Sequence, residues 1–404
     1  MRDIRRFIAY DYVTPIQLEE VISTQKPVVL FGAMGMGVYA KKALDFLNVK
    51  LTCFCDNSIS KQGTLVDGVP VLSPLQVKET YPDAKIFICS FKPQNFEMIK
   101  NQLTELGFRD INRKDVLYDV YVKNCSNRFT NPSDADQLLN VFRNPQDKVI
   151  LKLVNLVVTT KCTLHCKHCA SLIPYFENPY NIDKNIIIHS IESLARSVDA
   201  IEELFLFGGE PLLHPDLEEI CIEVSKIKNI LRFYIITNGT ILPKDSQIDI
   251  IKKCGFDLAI SDYGELSRYK NEIIEIAKKH NIVLSVVDID NTWLDLGNLK
   301  KRFRPQNENI NIFKSCLNSP NPCYPLINGK FHICSRSGFG TEINAFGDNF
   351  EDYVDFSEGI GTDRKRKEIL NLFNKKCIVA CDCCDMALPQ IVKPAIQTKK
   401  ILEV

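Results

Sequence analysis

The stretch "TTKCTLHCKHCAS", residues 159–171, places three cysteines and two histidines within the eight positions from Cys162 to Cys169. It follows directly on the apolar run "VNLVV", so the thiols fall in a loop at the carboxyl end of a strand. The spacing Cys162-x3-Cys166-x2-Cys169 offers three thiolates from one loop. Three thiolates can hold three irons of a cubane cluster and leave the fourth iron open for chemistry. Tetrahedral zinc would need a fourth ligand, for which His165 or His168 is at hand. Spacing alone leaves both readings open.

Working outward, the strand is the first of a series. "EELFLFGGEP", "LRFYIITNGT", "FDLAISDYG" and "NIVLSVVDI" read as further strands. Between them the helical patterns are "IIIHSIESLARSV", "LEEICIEVSKI", "SQIDIIKKC" and "YKNEIIEIAKKH". Strict alternation implies a parallel sheet with crossover helices, an open or partial (β/α) barrel, with its active site at the carboxyl ends of the strands. Upstream, "KPVVLFGAMGMGVYAKKALDFL", "VKLTCFCDN" and "AKIFICSF" repeat the alternation, followed by the helix "NFEMIKNQLTEL" and a short strand within "DINRKDVLYDV". The expected division is an N-terminal α/β domain over 1–123, a linker with one short helix over 124–150, the partial barrel over 151–304 and an irregular region over 305–404. The last holds the hairpin-like "NPCYPLINGKFHICSRSG", the basic helix "TDRKRKEILNLFNKK", the run "CIVACDCCD" and a polar tail. So irregular a stretch needs a metal centre to fold.

Bulk numbers narrow the class. The chain has 404 residues, more than one ordinary core accommodates. Fifty basic residues balance fifty acidic ones, which gives no support for nucleic-acid or anionic-membrane binding. No apolar run reaches the roughly 18 to 20 residues of a membrane span. The opening "MRDIRRFIAYDYVTP" is too broken to be a signal peptide, so a cytoplasmic location is expected. The 16 cysteines, clustered at short spacing in a reducing compartment, point to metal rather than disulfides. Cys53, Cys55, Cys89, Cys125, Cys221 and Cys254 are scattered through apolar patterns and read as core thiols.

Three motifs in order, "CTLHCKHC", "GGEP" (Gly208 to Pro211) and "TNG" (Thr237 to Gly239), each end a successive strand. Taken singly, the last two are ordinary turn sequences. Together the three make residues 151 to 300 resemble the radical S-adenosylmethionine (SAM) enzymes. The resemblance implies a partial (β/α)6 barrel with a [4Fe–4S] cluster on Cys162, Cys166 and Cys169 and SAM on its open iron. His168 would lie near the adenine. Gly208 and Gly209 would let the backbone approach SAM, and Glu210, beside Pro211, would accept from the ammonium group. Thr237 and Asn238 would contact ribose and carboxylate. The implied chemistry is reductive cleavage of SAM to a 5′-deoxyadenosyl radical that takes hydrogen from a substrate, fed by a donor such as flavodoxin or ferredoxin. Asp262, Tyr263 and Asp295, with Trp293 nearby, are candidate substrate contacts or general bases, against a bland reading as turn chemistry and a core tryptophan.

Cys316-x12-Gly329-x4-Cys334 and Cys381-x2-Cys384 are similar to the auxiliary-cluster domains called SPASM and twitch. The resemblance implies one auxiliary [4Fe–4S] cluster on Cys316, Cys334, Cys381 and Cys384, with Cys323, Cys377 and Cys383 as alternative ligands. Structural zinc is the rival there.

In the first domain, Gly32-x2-Gly35-x-Gly37 follows a strand and opens a helix, and Asp56 ends the next strand. That layout is near a dinucleotide fingerprint, with phosphate at the helix start and the acid on a ribose. The glycine spacing departs from the standard one. The region resembles small Rossmann-like domains attached to sugar-modifying enzymes. A docking or purely structural role is the other reading. The expectation is therefore a radical SAM enzyme acting on a small, carbohydrate-like or nucleotide-sugar molecule. A peptide- or protein-modifying maturase and a non-catalytic zinc or iron–sulfur protein are the alternatives.

Overall fold

The computed structural model describes residues 17–90, 93–126, 128–288, 293–316, 323–347, 352–357, 362–386 and 389–399. The opening stretch read above for a signal peptide lies outside them. The chain forms two compact units, which divide between Arg143 and Asn144.

In the first unit, β1 (Val28–Phe31), β2 (Leu51–Cys55), β3 (Leu65–Val66), β4 (Val69–Leu72), β5 (Lys85–Ile88) and β6 (Ile111–Arg113) form one sheet in the order β3-β4-β2-β1-β5-β6. All pairings are parallel except the β3–β4 hairpin. Its turn is Asp67–Gly68, both at positive φ, which suits the twist of a two-residue hairpin. The unit also contains α1 (Leu18–Ile22), α2 (Met36–Phe46), α3 (Pro74–Thr80), α4 (Pro93–Glu105), α5 (Asp115–Val120) and α6 (Pro132–Arg143). This is the Rossmann-like arrangement expected. Two details differ. The strand expected in "DINRKDVLYDV" stops at Arg113; Asp115–Val120 is helical, because Tyr118 and the following Tyr121 turn onto Tyr39 of α2. The one helix expected in 124–150 is α6, which buries Ala135, Leu138, Leu139 and Phe142, and the first unit runs on through it to Arg143.

The second unit is built on strands apolar on both faces, as parallel strands covered by helices must be. β7 (Ile150–Thr159), β8 (Ala200–Gly208), β9 (Ile230–Thr237), β10 (Phe256–Asp262) and β11 (Leu284–Asp288) pair in parallel and in succession. The crossovers are α7 (Lys184–Ser197), α8 (Leu217–Ser225), α9 (Asp245–Lys253) and α10 (Lys270–His280). A short strand β12 (Leu294–Asp295) and α11 (Gln306–Ser315) follow. The irregular region then returns to the same sheet. β13 (Tyr324–Ile327) pairs in parallel with β7 as a sixth parallel strand, and β14 (Lys330–His332) and β15 (Tyr353–Asp355) extend that edge. α12 (Ser335–Glu342) and α13 (Thr362–Phe373) cover it, and β16 (Gln390–Ile391) pairs with β12. One apolar core runs from Leu151 and Ile201 through Leu326, Phe331, Phe356 and Ile369. β13, β14 and β15 thus bring part of the irregular region into the barrel sheet. Among the described residues, no helix is long and apolar enough to cross a membrane.

Candidate functional site

The carboxyl ends of β7, β8 and β9 converge, and the glycines decide how. Gly208 leaves its strand at φ +143, and a Cβ there would fall on the carbonyl oxygen of Thr159. A Cβ on Gly209 would fall on that of Lys161. Gly209 N donates to Thr159 O and Glu210 N to Lys161 O, both at 2.8 Å. The two glycines thus admit the root of the cysteine loop rather than only a ligand. Gly209→Ala should lower stability by about 2–4 kcal/mol, since backbone must shift; urea unfolding of the variant beside the unaltered chain checks this.

Glu210, expected at the SAM ammonium group, is fully buried and does not line the cavity described below. Its Oε2 accepts from Asn238 N (2.8 Å) and Thr237 Oγ1 (3.1 Å), and its Oε1 from Leu212 N (3.2 Å). Burial raises its carboxyl to about 7. It ties the end of β8 to the end of β9. Pro211 only opens the turn that follows. Asn238 then reaches the cysteine loop: its Nδ2 donates to Thr163 Oγ1 (3.0 Å) and stands 3.5 Å from Cys162 Sγ.

Cys162, Cys166 and Cys169 line a single cavity of about 540 Å³, with Gly208, Gly209, Thr237 and Asn238 beside them. Burial pushes the Cys162 thiol up to about 12 and the Cys166 thiol to about 11. Neither histidine completes a fourth ligand. His165 lies off the cavity with Nδ1 3.0 Å from Thr398 O, and His168 Nδ1 lies 3.3 Å from an Asp295 carboxylate oxygen. Among the described residues, no three His, Cys, Asp or Glu side chains converge on a point that one ion could occupy. Three thiolates from one loop, with no fourth protein ligand, fit a cubane with an open iron.

The same cavity is lined on its other side by Cys316, Cys334, Cys381 and Cys384. The electrostatic influence of Cys316 and Cys384 reaches both Cys334 and Cys381, so the four lie together. Cys334 opens α12, and the N–H groups of Arg336 and Ser337 face its sulfur. The alternative ligands separate from this set. Cys383 is buried in the apolar packing behind it, Cys377 stands near Asp352 and Lys375, and Cys323 lines the cavity with its thiol pushed up to about 11 by burial. Two arginines pin the Cys381–Cys384 turn: Arg304 Nη1 donates to the carbonyls of Cys381 (3.2 Å) and Cys384 (3.1 Å), while Arg302 and Arg304 both hold Asp385. This set, too, fits a four-thiolate cluster. The scattered cysteines Cys53, Cys55, Cys89, Cys221 and Cys254 are buried, and Cys125 is half-buried.

The substrate candidates sort less simply. Tyr263 and Trp293 meet edge to face at 5.8 Å on the cavity wall. Asp262 does not line it; its carboxylate holds Lys270 Nζ at 2.7 Å and Gly264 N at 3.0 Å. Asp295 is also off the wall, paired with His168 and accepting from Gly297 N. Two residues not singled out from the sequence take their place. Arg336, 4% exposed, lines the cavity while donating Nε to Cys383 O (3.0 Å) and Nη2 to Gly297 O (2.8 Å). Asn155, also 4% exposed, lines the cavity from β7, and its Oδ1 has no partner among the described residues. A lone polar residue in the run "VNLVV" was the available signal for Asn155.

In the first unit, the glycine loop is closed on itself. A Cβ on Gly37 would fall on Gly32 O, Gly32 (φ +112) passes Cys89 O, and Gly35 precedes α2 at φ +45. Asp56, expected at a ribose, instead accepts from Ala33 N (3.0 Å) in that loop, from Ser58 N (2.9 Å) and from Lys61.

A parallel partial barrel with three cysteines on the loop after its first strand defines an iron–sulfur enzyme of the SAM-cleaving class. Residues 156–261 match the Radical SAM superfamily, a match that supports radical chemistry with SAM and a [4Fe–4S] cluster as cofactors. The chain is similar to the mitochondrial GTP 3′,8-cyclase of Arabidopsis thaliana, 26% identical over 225 residues, 53% of this chain and 54% of that one. It is also similar to the GTP 3′,8-cyclase of Lactiplantibacillus plantarum, 32% identical over 121 residues, 29% of this chain and 35% of that one. The chain thus spans about half the length, or less, of these curated relatives. Among solved structures it resembles BtrN in complex with AdoMet and 2-DOIA (TM-score 0.38, 16% identity, 62% of this chain and 98% of that one). Native anSMEcpe with bound AdoMet is a second such structure (TM-score 0.37, 13% identity, 63% and 92%).

Proposed function

We propose that this enzyme acts on a small phosphorylated substrate of nucleotide type, nucleotide sugars included, held between two iron–sulfur clusters. The first cluster would sit on Cys162, Cys166 and Cys169 and bind SAM; the auxiliary one would sit on Cys316, Cys334, Cys381 and Cys384. When bound, SAM and its cluster supply a 5′-deoxyadenosyl radical by reductive cleavage. The observation that carries the reading is that both cysteine sets open on one cavity in which, among the described residues, Arg336 is the fixed charge and no Asp, Glu or Lys lines the wall. A guanidinium suits a phosphate, whereas an amino sugar would find no carboxylate among the described wall residues to meet its ammonium. Asn155 Oδ1 offers an acceptor to a substrate hydroxyl or N–H, since a buried acceptor without a donor is costly. The apolar wall of Phe205, Phe207 and Trp293 suits a ring face. The named activity of the relatives on GTP agrees in substrate class.

Anaerobic reconstitution tests this, with iron and sulfide counts and assay of 5′-deoxyadenosine. Iron for two clusters is expected, with release stimulated by nucleotides or nucleotide sugars and not by the dephosphorylated compounds. Zinc in place of iron, no SAM cleavage under strong reductant, or stimulation by peptides alone would overturn it.

A further inference from the structure

The polar tail, read from sequence as a mere ending, is wound into the cysteine loop. β16 pairs with β12, and Val392 N donates to Trp293 O at 3.0 Å, so the tail leaves from the strand that carries Trp293 and Asp295. It then crosses to the loop. Lys167 N donates to Ile396 O and Thr398 N to His165 O, both at 2.8 Å, and Cys166 pairs with Gln397 as an isolated bridge. Ala395 packs on Leu164 and Cys166. The Gln397 side chain works at both ends. Its Oε1 accepts from His165 N at 2.7 Å, while its Nε2 donates to Ala395 O at 2.8 Å and to Cys166 Sγ at 3.3 Å. A backbone N–H can only donate and a backbone carbonyl only accept, so these neighbours fix the amide's orientation.

We infer that residues 395–398 are an integral strap of the SAM-cluster site and that Gln397 is a positioning residue for Cys166, holding the loop and donating a hydrogen bond to the ligand sulfur. The inference rests on the assignment of Cys166 as a cluster ligand. Hydrogen bonds to cluster sulfurs stabilise the more negative, reduced state and so raise the reduction potential. Outer partners of metal ligands typically affect affinity by about 10–100-fold when lost.

Two variants separate holding from donation. Gln397→Glu keeps an acceptor for His165 N but has no donor for sulfur; Gln397→Leu loses both. In the iron-free chain, followed by hydrogen exchange, the His165 amide should exchange faster in the Leu variant and stay protected in the Glu variant. In the reconstituted chain, both variants should show a more negative midpoint potential by spectroelectrochemistry and about 10-fold faster iron loss to a chelator. Unchanged potential and iron retention in both would overturn the tuning role, and unchanged His165 exchange in the Leu variant would overturn the strap. If the unaltered chain bound no iron at Cys166, the cluster assignment would fall instead, and altered exchange would still support the strap.

Discussion

Replacing Cys166 with Ser should bring 5′-deoxyadenosine release to background, whereas replacing Cys381 or Cys384 with Ser should leave SAM cleavage measurable and remove substrate turnover. The asymmetry follows from the site. Cys162, Cys166 and Cys169 share one short loop and, among the described residues, have no fourth protein ligand beside them, so loss of one leaves two thiolates and no spare. His165 and His168 cannot fill in, since each is engaged with its own oxygen acceptor. The loss should exceed the roughly 10–100-fold typical of an outer partner. Cys381 and Cys384 are held by Arg304 through their own carbonyls, a support separate from the hydrogen bonds that hold the first loop. Disturbing that turn should therefore spare the first cluster. Iron counts should fall by about half in the Cys381 variant, and SAM cleavage without substrate should persist. Equal loss of cleavage in both variants would mean that the cysteine sets do not act as separate centres.

Much of the fold was legible because alternating strands and helices leave a strong periodic record. All five barrel strands and their four helices fall where the apolar runs place them. The sixth parallel strand was not foreseen as one: "YPLI" is four residues long and reaches β7 across the whole barrel sequence. Local patterns carry no such long-range pairing. The cysteine loop was legible because a metal-binding spacing is written in consecutive residues. The roles of its neighbours were less so. Glu210 reads as an acceptor for the SAM ammonium group, yet it is buried and braces two strands through Thr237 and Asn238. Asp56 and Asp262 likewise read as ligand-facing acids at strand ends and are occupied by N–H groups of their own turns and, for Asp56, of the glycine loop as well. A strand-end acid has two physical uses, and only the positions of the nearby donors distinguish them. Gln397 left no trace in the sequence at all, because its partners in the cysteine loop lie more than 200 positions away.

Arg336→Met should abolish the preference for a phosphorylated ligand over its dephosphorylated counterpart. The guanidinium has two duties. Nε and Nη2 hold the carbonyls of Cys383, Gly297 and Asn298, and the cavity receives what remains of the charge. A simple loss of affinity would therefore be ambiguous, since removing the carbonyl contacts alone could loosen the Cys381–Cys384 turn. The ratio of affinities for a nucleotide and its nucleoside resolves this. Loosening the wall weakens both ligands alike and leaves the ratio intact. Removing the cation weakens only the nucleotide, by about 10- to 100-fold for a charge-assisted hydrogen bond of roughly 1.5–3 kcal/mol. Arg336→Lys keeps the charge but not the planar fork that serves carbonyls and phosphate together, so it should retain part of the ratio. Asn155→Leu should act differently, weakening nucleotide and nucleoside together, because its orphaned Oδ1 meets an uncharged donor and not the phosphate. Isothermal titration of the reconstituted protein with both ligands, for the unaltered chain and the three variants, gives the comparison. A ratio unchanged by Arg336→Met would remove the reason for a phosphorylated substrate and reopen the neutral carbohydrate as the occupant of the cavity.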